Sequence, residues 1–263
     1  MVNIWSFFVT MRNKRKGNIT LSQTVLIVGI VALLLFAMIL VPFYKSYQQK
    51  LAIVKYQKAY AILQQANRMY SLVSGEPMNK YNTSLSVNVF AETYFTPYLQ
   101  ISEYCKGKQD SCWNSPQYKD LKNRKKSNMA LYSIILDDNT TIGFHKNNQG
   151  LMSIILDTNG KTGENTLGKD IFVFSFYDNE NHPKLCNEKP SQNKNIPNGI
   201  HFGGYDKCGI PQDTLEYNDL ISKKGFDTCN KNAETDELGL GAGTGCGALL
   251  RVNNWAIDKN YPW

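Results

Sequence analysis

Residues 17–41, GNITLSQTVLIVGIVALLLFAMILV, join a short polar step to an apolar run that begins at Val25 and ends at Val41. The run contains one glycine and no charged residue. Its length is at the lower limit for a helix that spans a bilayer, and a helix that began near Ile19 would be longer. Because lipid offers no hydrogen-bond partner, only a helix satisfies the backbone of such a segment. The sequence therefore predicts one membrane-spanning helix.

The charges on either side of this run predict its orientation. Residues 1–17 hold four of the 29 basic residues and none of the 22 acidic ones, so residues 18–263 carry only +3 of the net charge of +7. Basic residues that flank a span remain in the cytoplasm. We therefore expect a single-pass membrane protein whose N-terminus is cytoplasmic and whose chain beyond Pro42 is exported.

Three interpretations of residues 1–41 are open. A secretory signal peptide fits poorly, because its apolar centre is shorter and ends in a small-residue cleavage site, whereas this run leads into Pro42 and Phe43. A plain signal anchor would stay uncut. The third interpretation places cleavage in the polar step before the run, so that the helix stays in the mature protein. Residues 1–10 are apolar for a leader, and Met11 is an alternative start.

The third interpretation is supported by a resemblance. Lys16-Gly17, then Ile19-Thr20-Leu21, then an apolar helix with Gly29 and with Pro42 at its far end resemble the leader and N-terminal helix of type IV prepilins and type II secretion pseudopilins. The similarity is most specific over residues 14–73. Weaker similarity to prepilin-like proteins covers the stretch from Asn159-Gly160-Lys161 to Phe172 and residues 246–263.

The resemblance implies how the chain is processed and assembled. In that family a prepilin peptidase, a membrane-embedded aspartyl protease, cuts after the glycine and methylates the new N-terminus. Processing would then fall at Gly17, Asn18 or Ile19. The protein would wait in the inner membrane and then assemble through its helix with other pilin or pseudopilin subunits. The filament would lie in the periplasm or at the cell surface.

The resemblance also has departures. Aligning Ile19-Thr20-Leu21 with the family pattern puts Asn18 in the place of the glycine and Gln23 in the place of a glutamate. That glutamate neutralises the N-terminal amine of a neighbouring subunit inside an apolar core, where an unpaired charge is costly. Gln23 can accept a hydrogen bond from the amine but supplies no counter-charge. Among pilins this departure is typical of a minor subunit.

The segment after the span continues the helical pattern. From Phe43 to Val73 there is no proline or glycine, and apolar or aromatic residues recur at spacings of three and four. The residues of this stripe are Ile53, Tyr56, Tyr60, Leu63, Asn67 and Tyr70. We expect it to be the face on which the exported domain packs. Gly75 and Pro77 should end the helix, and Pro42 should kink it.

The remaining sequence predicts an α+β fold, in which a long N-terminal helix packs on a small antiparallel sheet with disulfide-stapled C-terminal loops. A second helix is expected over Val87–Leu99. Short β-branched or aromatic runs between turn residues predict four strands. These runs are Leu131–Leu136, Thr141–His145, Leu151–Leu156 and Ile171–Phe176.

For the remaining segments the sequence predicts loops, one short helix and one strand. Residues 105–128 and 178–212 are polar and are expected to be loops. A short helix is expected over Thr214–Lys224, and a last strand over Cys246–Ile257. The predicted segments are a leader (1–17), a membrane and assembly helix (18–42), its amphipathic continuation (43–75) and an exported head (76–263).

Six cysteines lie beyond the apolar run: Cys105, Cys112, Cys186, Cys208, Cys229 and Cys246. An even count on the exported side predicts disulfides in an oxidising compartment. Of the fifteen possible pairings we expect nearest neighbours, Cys105–Cys112, Cys186–Cys208 and Cys229–Cys246. Zinc is disfavoured because there is no Cys-x-x-Cys motif.

No catalytic motif accompanies the three histidines, so the sequence indicates a protein that is not an enzyme. No cofactor is expected. Asp157, Asn159 and Gly160 resemble the start of a calcium loop, but Lys161 at the fifth position would oppose the metal, so a hairpin turn is favoured.

A basic cluster formed by Lys119, Lys122, Arg124, Lys125 and Lys126 is interpreted as a solvated surface. Nucleic-acid binding is not expected because no aromatic residue is interleaved for base stacking. Two functions from different classes remain: a structural subunit that assembles through its helix, and a membrane-anchored binding domain that never polymerises.

Overall fold

The computed structural model describes residues 21–76, 82, 84–105, 112–115, 117–127, 130–178, 185–186, 196–235 and 239–263, with side chains from residue 25 onward. Two compact units divide the chain, Met1–Gln48 and Gln49–Trp263; the second is called the C-terminal unit. The predicted processing residues Gly17, Asn18 and Ile19 lie outside the described residues, and so does the side chain of Gln23.

The long helix α1 extends over Leu21–Ser74 and includes Pro42. It therefore covers the predicted span and its continuation. Gly75 ends it in the left-handed conformation, with φ of 71°, and the Gly75 amide donates a hydrogen bond to the Ser71 carbonyl at 3.1 Å. Glycine adopts this conformation without the steric cost that a Cβ would impose, so the predicted stop at Gly75 is confirmed.

A six-stranded antiparallel sheet follows, in the order β1-β4-β5-β6-β7-β8. Its strands are β1 (Ile101–Tyr104), β4 (Tyr132–Leu136), β5 (Thr141–Lys146), β6 (Met152–Asp157), β7 (Ile171–Tyr177) and β8 (Gly199–Phe202). A separate hairpin pairs β2 (Gln117–Lys119) with β3 (Lys125–Ser127). The four predicted strands correspond to β4–β7. The predictions that residues 105–128 and 178–212 are loops are wrong where the hairpin and β8 form, and β1 lies in a stretch for which no strand was predicted.

Both faces of the sheet are covered. On one face, Tyr56 of α1 is fully buried and stacks on Phe172 and Phe174 of β7, with ring centroids 4.5 and 4.7 Å apart. Ile53, Leu63 and Asn67 are buried in the same layer, and Tyr60 and Tyr70 pack against it. The predicted stripe is therefore the helix face that packs on the sheet. The opposite face is covered by a smaller cluster that includes Trp113 and Tyr118.

The short helices depart from the prediction. Helix α2 is Val87–Tyr94, and a 3₁₀ turn at Thr96–Tyr98 replaces the rest of the expected helix. Helix α3 is only Tyr217–Leu220. The strand predicted for Cys246–Ile257 is wrong, because Cys246–Val252 forms helix α4. Cys246, Leu249 and Leu250 are all buried, at a spacing of three and four that is helical, and an apolar run this short does not distinguish the two structures.

The cysteine prediction is confirmed. Disulfides join Cys105 to Cys112, Cys186 to Cys208 and Cys229 to Cys246. The last of these fixes α4 to the loop after α3. The α+β architecture is thus a long helix on an antiparallel sheet, with stapled loops near the C-terminus.

Candidate functional site

The apolar segment of α1 (residues 25–41) is exposed among the described residues. Every large apolar side chain from Val25 to Val41 is between 45% and 70% exposed. Among the described residues, α1 is the one helix long and apolar enough to cross a membrane. Soluble monomers rarely expose an apolar surface this extensive, and its length and composition are consistent with a single membrane span.

Aromatic and polar residues follow the apolar segment. Phe43, Tyr44 and Tyr47 are exposed, and Lys50 lies one turn further on. Aromatic rings with one polar edge favour the boundary between lipid and water, and lysine extends its amine to the aqueous side. Lys45 lies among these aromatic residues, so aromatic and basic residues together follow the apolar segment, as expected where a helix leaves a bilayer.

Within the C-terminal unit, α1 presents two different faces. Ile53, Tyr56 and Leu63 are buried against the sheet, whereas Leu51 and Val54 remain exposed. The Tyr56 hydroxyl donates a hydrogen bond to the Val173 carbonyl at 3.0 Å, so burial of this ring leaves no unpaired donor. One face of the helix is therefore committed to the fold, and the other is available for a further contact.

A second feature is the loop between β6 and β7, called the 157–170 loop. Asp157 is the last residue of β6, and its Oδ1 accepts hydrogen bonds from the amides of Asn159 and Gly160, both at 3.0 Å. Gly160 has φ of 62°, and a Cβ there would lie 2.1 Å from the Asn139 carbonyl oxygen. Only glycine fits this turn.

Asp170 closes the loop from its other end. Its carboxylate accepts hydrogen bonds from the Thr166 amide at 2.5 Å and from Asn159 Nδ2 at 3.1 Å. Its backbone carbonyl accepts from the amide and the hydroxyl of Thr158, at 2.9 and 3.0 Å. The loop thus brings Asp157, Asn159 and Asp170 into one cluster.

The electrostatics of this cluster are unusual. Burial and the nearby charge of Asp170 together raise the pKa of Asp157 to about 8, against the lowering effect of the amides of Asn159 and Gly160. Burial also raises the pKa of Asp170 to about 6. Two carboxyl groups thus share a desolvated space, which favours their neutral, protonated forms.

Several polar atoms in the cluster lack hydrogen-bond partners among the described residues. They are Oδ2 of Asp157, Oδ1 of Asn159 and both side-chain polar atoms of Asn165. Asn165 lies near enough to Asp157 to lower the pKa of its carboxyl group, but the contact does not have hydrogen-bond geometry. Buried polar atoms are rarely left unpaired. Asn165 and Asp170 were not singled out in the sequence, where only their spacing after Asp157 could have indicated them.

Lys161, the residue expected to repel a metal ion at this loop, forms an ion pair with another element. Its ammonium lies 2.8 Å from the Glu103 carboxylate on β1. In the described part of the chain, no group of three His, Cys, Asp or Glu side chains could hold a metal. Any cation at the 157–170 loop would therefore need amide or carbonyl oxygens as well.

The basic cluster lies on and around the β2–β3 hairpin. Lys119 contacts Glu164 at 2.8 Å, and Arg124 contacts the buried Asp120 at 2.6 Å. Lys126 donates to the Gly239 carbonyl at 3.2 Å. The contacts of Lys119 and Lys126 tie the hairpin to neighbouring loops, and the Arg124–Asp120 contact closes the turn of the hairpin itself. These three residues therefore have a structural role.

His201 takes part in hydrogen bonds that stabilise the fold. His201 on β8 contacts Asp213 through Nδ1 at 3.0 Å and the Pro197 carbonyl through Nε2 at 2.8 Å. Burial disfavours the charged imidazole, but the hydrogen bond and charge of Asp213 outweigh it, so the pKa of His201 is raised. His145 lies on β5, and His182 is outside the described residues.

Comparison with protein-family models, with curated proteins and with solved structures finds no match for this chain.

Proposed function

We propose that this chain is a structural subunit, of the minor class, of a type IV pilus or a type II secretion pseudopilus. It is held in the inner membrane by α1 and is assembled through the same helix. The observation that carries this proposal is the apolar segment of α1, which is long enough to span a bilayer and is exposed along its whole length. The alternative is an anchored extracytoplasmic binding domain that does not polymerise.

The proposed mechanism uses one surface twice. In the membrane the apolar segment contacts lipid tails, and in the filament it contacts the helices of other subunits. Lipid tails and leucine side chains are about equally apolar, so exchanging one contact for the other carries little hydrophobic cost. Packing and shape then decide whether the helix stays or is extracted.

The exposed face of α1 in the C-terminal unit supports this mechanism. Leu51 and Val54 lie on it, 36% and 57% exposed. Residues three positions apart lie on one side of a helix, so these two can contact one neighbouring helix.

The three disulfides support export of the C-terminal unit. Disulfides persist in oxidising compartments such as the periplasm and the cell surface. The partners under this proposal are the prepilin peptidase, other pilin or pseudopilin subunits and the inner membrane. Catalysis and nucleic-acid binding form no part of it.

Site-specific photo-crosslinking in the native host tests the proposal. A photo-reactive amino acid at Tyr47 should give covalent products with other subunits, because this side chain is exposed on the helix. The same amino acid at Tyr56 is the matched control and should give none, because Tyr56 is buried in the fold.

Processing supplies the second arm of the experiment. Gly17→Ala should block removal of the leader and abolish the crosslinks from Tyr47, whereas Asn13→Ala should leave both unchanged. If wild-type chains retain the leader and give no subunit crosslinks, the anchored, non-polymerising alternative is favoured and the proposal is wrong.

A further inference from the structure

We propose that an open groove beside the edge strand β1 binds an arginine side chain of a partner protein. The groove has a volume of about 410 Å³ and lies between α2, the 3₁₀ turn after it and strands β1 and β4. Its lining residues are Glu92, Thr96, Pro97, Tyr104 and Tyr132. The inference does not depend on the proposed function, because none of these residues belongs to α1.

Two of the lining residues are tyrosines from neighbouring strands. Tyr104 of β1 pairs with Ile134 of β4, and Tyr132 lies two positions before Ile134, on the same face of the sheet. Side chains in this diagonal arrangement are close enough to contact one ligand. Tyr104 is 51% exposed, whereas Tyr132 is 5% exposed and its ring packs edge-on against Phe144. The groove therefore has one accessible aromatic ring and one fixed ring.

The Tyr132 hydroxyl is the observation that points to a ligand. It is buried and has no hydrogen-bond partner among the described residues. Burial raises the pKa of Tyr132 to about 12, and Glu92 and Thr96 have smaller effects on this pKa, but neither side chain reaches the hydroxyl in hydrogen-bond geometry. Buried polar atoms are rarely left unpaired. A ligand that donates a hydrogen bond to this oxygen would therefore remove an energetic penalty.

The chemistry of the lining residues selects a cation. Glu92 contributes a carboxylate, which accepts hydrogen bonds and carries a negative charge. Thr96 and Tyr132 contribute hydroxyl oxygens, which also accept, and the face of the exposed Tyr104 ring attracts a positive charge. The described residues that line the groove include no lysine or arginine. Glu92 would repel an anion, whereas a cation with several N–H groups matches all of these partners.

Arginine fits the groove better than lysine does. A guanidinium is planar and has five N–H donors, so it can lie on the Tyr104 ring while it donates to the Glu92 carboxylate and to the Tyr132 oxygen. The ammonium of lysine is a compact, strongly hydrated point charge with three donors. We therefore expect the groove to prefer arginine.

The position of the groove favours a polypeptide over a free small molecule. Strand β1 lies at one edge of the six-stranded sheet and pairs only with β4 among the described residues. An edge strand presents backbone amides and carbonyls with which an extended segment of another chain can pair. Because Tyr104 is the last residue of β1, such a segment would bring one of its side chains to the groove.

The test uses the full chain in detergent and two acetylated and amidated peptides. One has the sequence Thr-Val-Arg-Val-Thr, which favours an extended strand, and the other carries citrulline in place of arginine. Citrulline has nearly the same shape but no charge. Titrations followed by saturation-transfer NMR should show that the citrulline peptide binds about tenfold more weakly, because it lacks the charge-assisted hydrogen bond to Glu92 and the attraction to the Tyr104 ring.

Matched variants assign the binding to the groove. Glu92→Gln should weaken binding of the arginine peptide about tenfold and leave binding of the citrulline peptide unchanged. Glu216→Gln is the control, because it removes the charge of an exposed carboxylate next to α3, outside the groove. This control should bind both peptides like the wild type.

Tyr132→Phe separates a binding role from a structural one. It removes the unpaired hydroxyl and keeps the ring, so the melting temperature of the free protein should stay the same or rise. Binding of the arginine peptide should nevertheless weaken about threefold or more, because one hydrogen bond to the guanidinium is lost.

Three results would overturn the inference. The first is no measurable binding of the arginine peptide, or equal affinity for the arginine and citrulline peptides. The second is wild-type affinity in Glu92→Gln. The third is equal weakening in Glu92→Gln and Glu216→Gln. Filament assembly enters none of these measurements, so the inference and the proposed function can fail separately.

Discussion

Tyr56 shows at the scale of one residue how α1 is fixed to the sheet. Its ring lies between the helix and the aromatic residues of β7, and its hydroxyl bonds to the Val173 carbonyl. Gly247 of α4 approaches the same hydroxyl so closely that a Cβ at position 247 would lie 2.0 Å from the oxygen. The side chain that fits at position 247 therefore depends on the side chain at position 56, and the reverse holds too.

Gly247→Ala should lower the free energy of unfolding by about 1–3 kcal/mol, because the added methyl group overpacks a filled core. Tyr56→Phe removes the nearest clashing atom but keeps the ring carbons Cζ and Cε1, which would lie 2.6 and 2.9 Å from the new Cβ. The clash is thus relieved in part, and the double variant should be somewhat more stable than the sum of the two single changes predicts. Urea unfolding of all four proteins in detergent measures this coupling. Strict additivity would show that the contact does not exist in solution.

His201 provides a pH-dependent contribution to stability. Its pKa is raised in the folded state above the ordinary value of 6.5, so the protonated imidazole stabilises the fold. This contribution is fully present below the ordinary pKa and is lost as the pH rises through the folded-state value. We expect the wild type to lose stability relative to His201→Gln over that window. Parallel pH profiles of unfolding free energy for the two proteins would contradict this assignment.

At the scale of the element, the two faces of α1 should respond differently to the same change. Ile53→Lys places an unpaired charge in the core and should cost more than about 3 kcal/mol. Val54→Lys, one position away on the exposed face, should change stability by no more than about 0.5 kcal/mol. Chemical denaturation of the two variants compares them directly. Equal costs would mean that the helix packs with a different face.

The disulfides should differ in their effect according to loop length. Cys229–Cys246 closes a separation of 17 residues and Cys105–Cys112 one of seven, and all four cysteines are buried. Chain-entropy reasoning gives losses of about 3 and about 2 kcal/mol when each pair is replaced by alanine. Thermal unfolding of the two double variants tests this order. The reverse order would show that local packing, not loop closure, dominates.

Elements with strong local signals could be predicted from the sequence, and the others could not. Strands β4–β7 are β-branched or aromatic runs between Asn- and Gly-containing turns, so their pattern is evident. Strands β1 and β8 have four residues each and lie at the two edges of the sheet, where each pairs with one neighbouring strand. Their structure comes from tertiary contacts that no local pattern records.

The polar cluster of the 157–170 loop shows the same division. Asp157 and Asn159 lie two positions apart in a recognisable turn, so the sequence could indicate them. Asn165 and Asp170 join them only because β7 pairs with β6 and returns the chain to the same place. The direction of the Lys161 side chain could not be inferred either, since its partner Glu103 lies 58 residues earlier.

At the scale of the whole molecule, α1 contributes to two units that differ in how far its side chains are buried. Residues up to Gln48 expose an apolar surface, whereas residues from Gln49 onward pack one face on the sheet. Burial of the sheet-facing side fixes the fold of the C-terminal unit. Exposure of the apolar segment gives the chain its proposed function, in the membrane and then in the filament.

The central claim is that the mature protein keeps the apolar segment of α1. Intact-mass and N-terminal analysis of the protein isolated from its host, in the membrane and in assembled form, tests this claim most directly. The account predicts one N-terminus in both fractions, at Asn18 or Ile19, methylated and followed by residues 25–41. A mature protein that begins beyond Pro42 would contradict it.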